Sequence, residues 1–180
     1  MSRLNPPPVE QLSDKQREVH DAIASGPRGA VRGPLGVWLW QPELAQQAQS
    51  LGQYCRYNSS LSPKLSEFAI LMTGKHWGSE YEWQQHKQFA LEAGITPEII
   101  DSLRTGADLH TQDSQLLVVH KFTSELLNTR NVSQPTYDQA IEILGRESVV
   151  DLVGLLGYYT LISMTINVFE VDAPGPAELI

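Results

Sequence analysis

Paired helix-start signals constrain the fold of this 180-residue chain more than any other feature. Ser62-Pro63 and Thr96-Pro97 each place a side chain that caps helices directly before a proline suited to the first helical turn. Nowhere does the sequence keep up the apolar and polar alternation that a half-buried strand requires. The pattern therefore predicts an all-α fold of about seven or eight helices.

Caps, apolar spacing and glycine or proline breaks set the bounds of these helices. Ser13 and Gln16 form a capping box at the start of the first helix, and a Gly/Pro-rich loop follows it from Ser25 to Gly36. We predict a loose N-terminal tail over 1–12, a single all-α domain over 13–172 and a C-terminal tail over 173–180. The helices are predicted at residues 14–24, 42–58, 63–76, 79–93, 97–104, 113–128, 135–144 and 147–170.

Composition excludes several classes of function. A formal net charge of −8 disfavours a surface that grips nucleic acid. Cys55 is the only cysteine, so the chain holds no internal disulfide, no paired redox thiols and no thiolate zinc site. The N-terminus lacks the apolar run of a secretory signal, and we expect a cytoplasmic protein.

One uncharged stretch, Leu152 to Phe169, reaches the lower length limit of a membrane-spanning helix. Its flanks are mainly acidic and polar residues interrupt it, which is not the pattern of a membrane anchor. A helix that is apolar on all sides is also typical of the centre of a helical bundle. We favour the buried helix and expect no membrane partner.

The segment from Ser79 to Ala93 carries the most informative pattern. At 100° per residue, Glu82 and His86 fall on the same stripe as Trp83 and Ala90, while most other charged residues lie opposite. The alternatives are a surface ion pair, a satisfied pair in the core, and a functional pair. In the preceding helix, Glu67 is a lone acid among apolar residues, either on a narrow solvent strip or buried for a purpose.

These segments resemble a known family. The residues that carry the resemblance are Leu65-Ser-Glu67-Phe-Ala-Ile-Leu, the run GSEYEWQQH ending at His86, and Ala90-Leu-Glu-Ala-Gly94-Ile-Thr-Pro. They are similar to the carboxymuconolactone decarboxylase family, whose superfamily includes the alkylhydroperoxidase D proteins. The similarity extends from about Gly33-Pro34 to Val171. It implies an alkylhydroperoxidase D-like helical bundle with a site at Glu67, Ser79, Glu82 and His86.

Two positions depart from the peroxidase branch of that superfamily. The branch has two cysteines that reduce peroxide and then form a disulfide, and this chain has Ser79 and Glu82 in their places. Cys55 lies on another predicted helix and would need an external thiol partner. An antioxidant role by the dithiol mechanism is therefore disfavoured.

The remaining polar trio suits acid–base chemistry without a cofactor. His86 is predicted to donate or accept the proton, and Glu82 and Glu67 to orient it, in a decarboxylation or double-bond shift of a small carboxylated or lactone-like molecule. The resemblance implies a lyase of aromatic compound catabolism. The same trio could bind a divalent metal, although we expect none. A non-catalytic small-molecule-binding or assembly protein of the same fold stays an alternative.

Residues around the trio are predicted to contact the substrate. Two carboxylates would repel an acidic substrate unless a cation compensates, and Arg28, Arg32 and Arg56 are the candidates. The residues predicted to bind the substrate are Ser79, Trp83, Arg32, Trp38 and Trp40. We also expect a homo-oligomer, because the closing helix is apolar on every side and the resemblance implies dimers, trimers or hexamers.

Overall fold

The computed structural model describes residues 2–179, and these residues form nine α-helices without a strand. This confirms the all-α prediction. A 3₁₀ turn (Val9–Gln11) precedes the first helix, and a π-helical turn (Tyr54–Asn58) follows the third. The helices are α1 (Asp14–Ser25), α2 (Pro34–Trp38), α3 (Pro42–Gln53), α4 (Pro63–His76), α5 (Glu80–Glu92), α6 (Pro97–Thr105), α7 (Ser114–Thr129), α8 (Gln134–Leu144) and α9 (Arg146–Phe169).

The helix starts follow from local capping chemistry. The Ser13 side chain accepts the backbone N–H of Gln16, and the Gln16 side chain accepts the N–H of Ser13 in return, which completes the predicted capping box. The Ser62 side chain accepts the N–H of Leu65 at the start of α4, and the Thr96 side chain accepts the N–H of Ile99 at the start of α6. Each cap lies directly before a proline in the first turn. These signals place the starts of α1, α4 and α6 where the sequence predicts them.

Two local elements differ from the prediction. The short helix α2 lies inside the segment predicted as a Gly/Pro-rich loop, so the structure has one helix more than the predicted upper number. Pro34 suits its first turn, and Gly33 before it adopts a φ of 54°, which favours glycine. The helix predicted over 42–58 ends as an α-helix at Gln53 and continues as the π-helical turn.

Helix α4 lies at the centre of the bundle. Every residue from Leu65 to Gly74 is buried, because α4 packs against α5, α6, α7 and α9. Glu67 is therefore 6% exposed and does not lie on a solvent strip. The packing of α4 against α5 is what brings Glu67 towards the side chains of the next helix.

Helix α9 combines a buried and an exposed apolar face. Within residues 2–179, α9 is the one helix that is long and apolar enough to cross a membrane. However, 61% of its apolar 18-residue window is buried inside the protein. It packs against α2, α3, α4, α8 and the π-helical turn, as a central bundle helix does. Val150, Val153, Met164 and Val168 stay exposed on the opposite side.

Both predicted tails lie against the bundle over the residues that the structure describes. Near the N-terminus, the Arg3 N–H donates to the Phe169 carbonyl at 2.8 Å, and Pro7 is buried. Near the C-terminus, the Glu80 carboxylate accepts the backbone N–H groups of Glu178 and Leu179. Within the segment predicted as a loose tail, Pro7 and Leu12 are thus buried, while most of the other residues from 2 onward are exposed.

Candidate active site

A histidine held between two carboxylates forms the centre of the site. His86 Nδ1 lies 2.5 Å from Glu67 Oε2, and His86 Nε2 lies 3.1 Å from Glu82 Oε2. Glu82 and His86 share one face of α5 at four-residue spacing, as the periodicity predicts, and Glu67 reaches them from α4. All three side chains are at most 8% exposed.

This arrangement keeps a proton on His86 at neutral pH. Burial alone lowers the pKa of an imidazole, because the charged form loses its hydration. The Glu67 charge and hydrogen bond, followed by the Glu82 contacts, outweigh burial and raise the pKa of His86 from 6.5 to about 9. The centre is therefore an imidazolium between two carboxylates.

The two carboxylates do not hold the histidine equally. The Glu67 contact is a short hydrogen bond, of the kind that fixes the orientation of a ring. The Glu82 contact is longer, and Glu82 Oε2 is buried without a hydrogen bond of suitable direction. The Nε2 side is therefore the side on which a ligand atom finds an unsatisfied acceptor and a ring N–H.

Arg56 supplies a second cation next to this centre. The π-helical turn positions Arg56 so that its Nε lies 3.9 Å from Glu67 Oε1 and its guanidinium lies 4.5 Å from the centre of the Phe89 ring. With His86 protonated, the two buried carboxylates have two cationic partners. The predicted repulsion of an acidic substrate is thereby relieved.

Two tyrosines of α9 extend the site. The Tyr159 ring meets the His86 ring edge to face, with centres 5.1 Å apart, and the Tyr158 ring meets the Tyr159 ring in the same way at 5.3 Å. Burial raises the pKa of Tyr158 to about 12 and that of Tyr159 well above 10. Both phenols therefore stay neutral at physiological pH.

These groups line one cavity of about 580 Å³. Its volume suits a small organic molecule. The wall includes the loop before α2, the π-helical turn, α4, α5 and α9. The charged and tyrosine residues in the wall are Arg28, Arg32, Arg56, Tyr57, Glu67, Tyr81, Glu82, His86, Glu92, Tyr158 and Tyr159.

The predicted site residues divide into two groups. His86, Glu82, Glu67 and Arg32 line the cavity, and Arg32 is exposed there. The remaining predicted residues are not among those that line it: Ser79, Trp83, Trp38 and Trp40. A substrate-binding role for these four therefore has no support from their positions.

These four side chains have other surroundings. Trp83 is fully buried and its Nε1 donates to Glu178, while Trp38 is buried and donates to Thr165. Trp40 is 52% exposed and donates to the Asn5 carbonyl. The Ser79 hydroxyl is buried without a hydrogen bond at the start of α5.

Sequence reasoning missed Tyr81 and Gly52 as parts of the cavity region. Gly33 leaves the space that the Tyr81 ring occupies, since a Cβ there would collide with the ring. Gly52 likewise leaves space for the Tyr158 hydroxyl. Glycines in a loop and in a helix carry no sequence signal for a distant aromatic partner, so only the structure reveals the pairing.

Metal binding has no geometric basis in the part of the chain that the structure describes. Across residues 2–179, no group of three or more His, Cys, Asp and Glu side chains is arranged to hold a metal ion. Both ring nitrogens of His86 face carboxylates of the protein.

One protein-family model matches part of the chain. Residues 42–117 match the model of the carboxymuconolactone decarboxylase family. This match confirms the predicted resemblance to that family. The matched segment contains Glu67, Glu82, His86 and Arg56, whereas Arg28, Arg32 and both tyrosines of α9 lie outside it.

Solved structures of low sequence identity share the fold. An alkylhydroperoxidase AhpD core from Ralstonia eutropha JMP134, an uncharacterized peroxidase-related protein, is 13% identical with a TM-score of 0.77, covering 96% of this chain and 92% of the other. A protein of unknown function from Agrobacterium tumefaciens is 11% identical with a TM-score of 0.68, covering 81% and 100%. The debrominase Bmp8, in complex with 2,3,4-tribromopyrrole, is 10% identical with a TM-score of 0.67, covering 95% and 91%. No curated protein matches the chain.

Proposed function

We propose that this protein is a cofactor-independent lyase that decarboxylates, or moves a proton within, a small carboxylated or lactone-like molecule. The observation that carries the proposal is the buried imidazolium of His86 between Glu67 and Glu82 at the wall of a 580 Å³ cavity. A group that is protonated at neutral pH and faces a small pocket is suited to general acid catalysis.

The three residues have different roles in this proposal. Glu67 holds Nδ1 and keeps the ring oriented and charged, so it is a positioning residue. His86 gives the proton of Nε2 to the substrate. Glu82, whose Oε2 has no hydrogen bond of its own, stabilises the proton on Nε2 before the transfer and relays a proton from solvent to Nε2 afterwards.

The proposed decarboxylation balances without an oxidant or cofactor. The bond between the carboxylate and its carbon breaks, carbon dioxide leaves, and the electron pair delocalises from that carbon onto the lactone carbonyl. Arg56 and the neutral tyrosine hydroxyls in the wall are the groups available to stabilise the resulting enolate charge. The His86 proton then binds the carbon, and solvent returns a proton to the imidazole.

Turnover of a panel of small lactone acids tests this proposal. The assay follows carbon dioxide release, together with incorporation of deuterium at carbon by NMR in D₂O. General acid–base catalysis contributes at least about 100-fold, so we expect His86→Gln to lose at least about 100-fold in kcat. Glu82→Gln should lose activity while leaving Nδ1 held by Glu67.

A second histidine offers a matched control. His120 lies on α7, is half-buried and does not line the cavity. We expect His120→Gln to turn over the panel like the wild type. Equal activity of the wild type and His86→Gln on every compound that reacts would remove His86 from the mechanism.

One observation favours a second candidate, a protein that binds a small molecule without turning it over. Both nitrogens of His86 already face carboxylates of the protein, so the centre is internally paired. Under this candidate, an aromatic acid such as benzoate raises the Tm of the wild type and of His86→Gln equally, and no compound in the panel yields product.

A further inference from the structure

Arg28 is a cationic side chain of the cavity wall without a carboxylate partner. It lies in the loop between α1 and α2 and is half-buried. Among residues 2–179, no acidic side chain lies within ion-pair distance of its guanidinium, whereas Arg56 lies beside Glu67. Buried atoms of charged groups are normally paired, so the buried Nε of this guanidinium needs an explanation.

The surroundings of Arg28 hold it against the cavity instead of against solvent. Its Nη2 donates to the Tyr158 hydroxyl at 3.4 Å, and its Nε is buried without a hydrogen-bond partner. Gly52 leaves room for this arrangement, because a Cβ at that position would collide with the Tyr158 hydroxyl and approach Arg28 Nη2 to 2.7 Å. Within residues 2–179, a neutral phenol is thus the one hydrogen-bond acceptor for the five potential donors of this guanidinium.

The position of Arg28 relative to the catalytic centre is also defined. Tyr158 contacts Arg28 on one side and the Tyr159 ring on the other, and Tyr159 contacts His86. Two aromatic rings therefore separate the unpaired guanidinium from the imidazolium along the cavity wall. A wall of this composition suits a flat molecule with an anionic group at one end.

We propose that Arg28, supported by Tyr158, is the subsite that binds a carboxylate of the substrate, with the rest of the molecule extending along Tyr158 and Tyr159 towards His86. The proposal deepens the proposed function and rests on it for the identity of the acid as a substrate. A guanidinium is matched to a carboxylate in shape and charge, which favours an organic acid over a neutral lactone. Arg28 lies outside the segment that matches the family model.

Calorimetric titration with benzoate and its neutral isostere benzamide tests the subsite in the absence of turnover. We expect the wild type to bind benzoate about tenfold or more tightly than benzamide, and Arg28→Gln to lose that preference. Arg28→Lys should bind benzoate with intermediate affinity, because it keeps the charge and loses the planar donor pair. Arg146→Gln removes an exposed arginine that does not line this cavity, and it should bind both probes like the wild type.

Three results would overturn the proposal. One is an Arg28→Gln variant, folded by circular dichroism, that binds benzoate as tightly as the wild type. Another is a loss of benzoate binding in Arg32→Gln that exceeds the loss in Arg28→Gln. The third is inorganic phosphate binding at least as tightly as benzoate, which would identify a general anion site.

Failure of this inference and failure of the proposed function give different results. Turnover that depends on His86, together with benzoate binding that ignores Arg28, rejects the subsite and leaves the enzyme. Benzoate binding that depends on Arg28, without any turnover of the lactone acids, supports the subsite and rejects the lyase.

Discussion

The charge on His86 makes the stability of the protein depend on pH, and Glu67→Gln is the substitution that isolates this effect. A rise in the pKa of His86 from 6.5 to about 9 corresponds to about 3 kcal/mol of native-state stabilisation, at about 1.4 kcal/mol per pKa unit. Because the folded-state pKa is the higher one, this contribution is complete below pH 6.5 and is lost as the pH rises through 9.

In Glu67→Gln the largest contribution that raises the pKa of His86 is absent, while burial still lowers it. We therefore expect the variant to be less stable than the wild type by up to about 3 kcal/mol at neutral pH. That gap should narrow steadily between pH 6.5 and 9.5, because only the wild type retains a proton to lose. Other groups titrating in this range affect both proteins and cancel in the difference.

Urea denaturation of both proteins at half-unit steps from pH 6 to 10 measures the gap. Glu125→Gln provides a matched control, since its carboxylate accepts hydrogen bonds from Thr136 and Ser133 and titrates far below this range. Its gap from the wild type should not change with pH. A pH-independent gap for Glu67→Gln, or an NMR titration of the His86 ring with a midpoint near 6.5, would refute the reasoning.

Three further predictions concern redox chemistry, structure and assembly. Cys55 is buried, and burial raises the pKa of its thiol. In an assay with an organic hydroperoxide and a dithiol, we therefore expect the wild type and Cys55→Ser to consume peroxide at the same background rate. Peroxide consumption by the wild type that is lost in Cys55→Ser would contradict this. The Asp151 carboxylate accepts hydrogen bonds from the Tyr54 hydroxyl and from the backbone N–H and hydroxyl of Ser60. We expect Asp151→Ala to lower the free energy of unfolding by about 3 kcal/mol in urea denaturation. An unchanged denaturation midpoint would show that these hydrogen bonds do not stabilise the protein. Light scattering at micromolar concentration should give a mass above the 20.1 kDa of one chain, because α9 exposes an apolar face, and a mass of one chain after tenfold concentration would reject assembly.

Helix starts and the buried face of α5 could be predicted because they depend on residues close together in the sequence. Capping residues followed by proline set the starts of α4 and α6, because a cap and a fixed φ act within one turn. The 100° periodicity of α5 placed Glu82 and His86 on one buried face for a similarly local reason. The contact between Glu82 and His86 could therefore be predicted from the sequence.

Contacts between distant elements were not accessible in the same way. Glu67 could be read as exposed or buried, because its environment depends on how α4 packs among four other helices. The π-helical turn that positions Arg56 could not be predicted from the apolar periodicity, because it is a single turn of five residues. Trp38 and Trp40 were predicted in the pocket wall from their residue type, but α2 and the N-terminal segment pack them elsewhere.

The identity of residue 82 links the departure from the peroxidase branch to the proposed chemistry. A thiol at this position could undergo redox chemistry through a disulfide. In its protonated form, the thiol is neutral and would place no negative charge beside the histidine. A carboxylate has no such redox chemistry, yet it contacts His86 Nε2 at 3.1 Å and helps to keep the imidazole protonated. The carboxylate that stands in the place of one of the two thiols is therefore, after Glu67, the second group that raises the pKa of His86. The absence of cysteines at both positions is therefore compatible with the proposed proton-transfer role of His86.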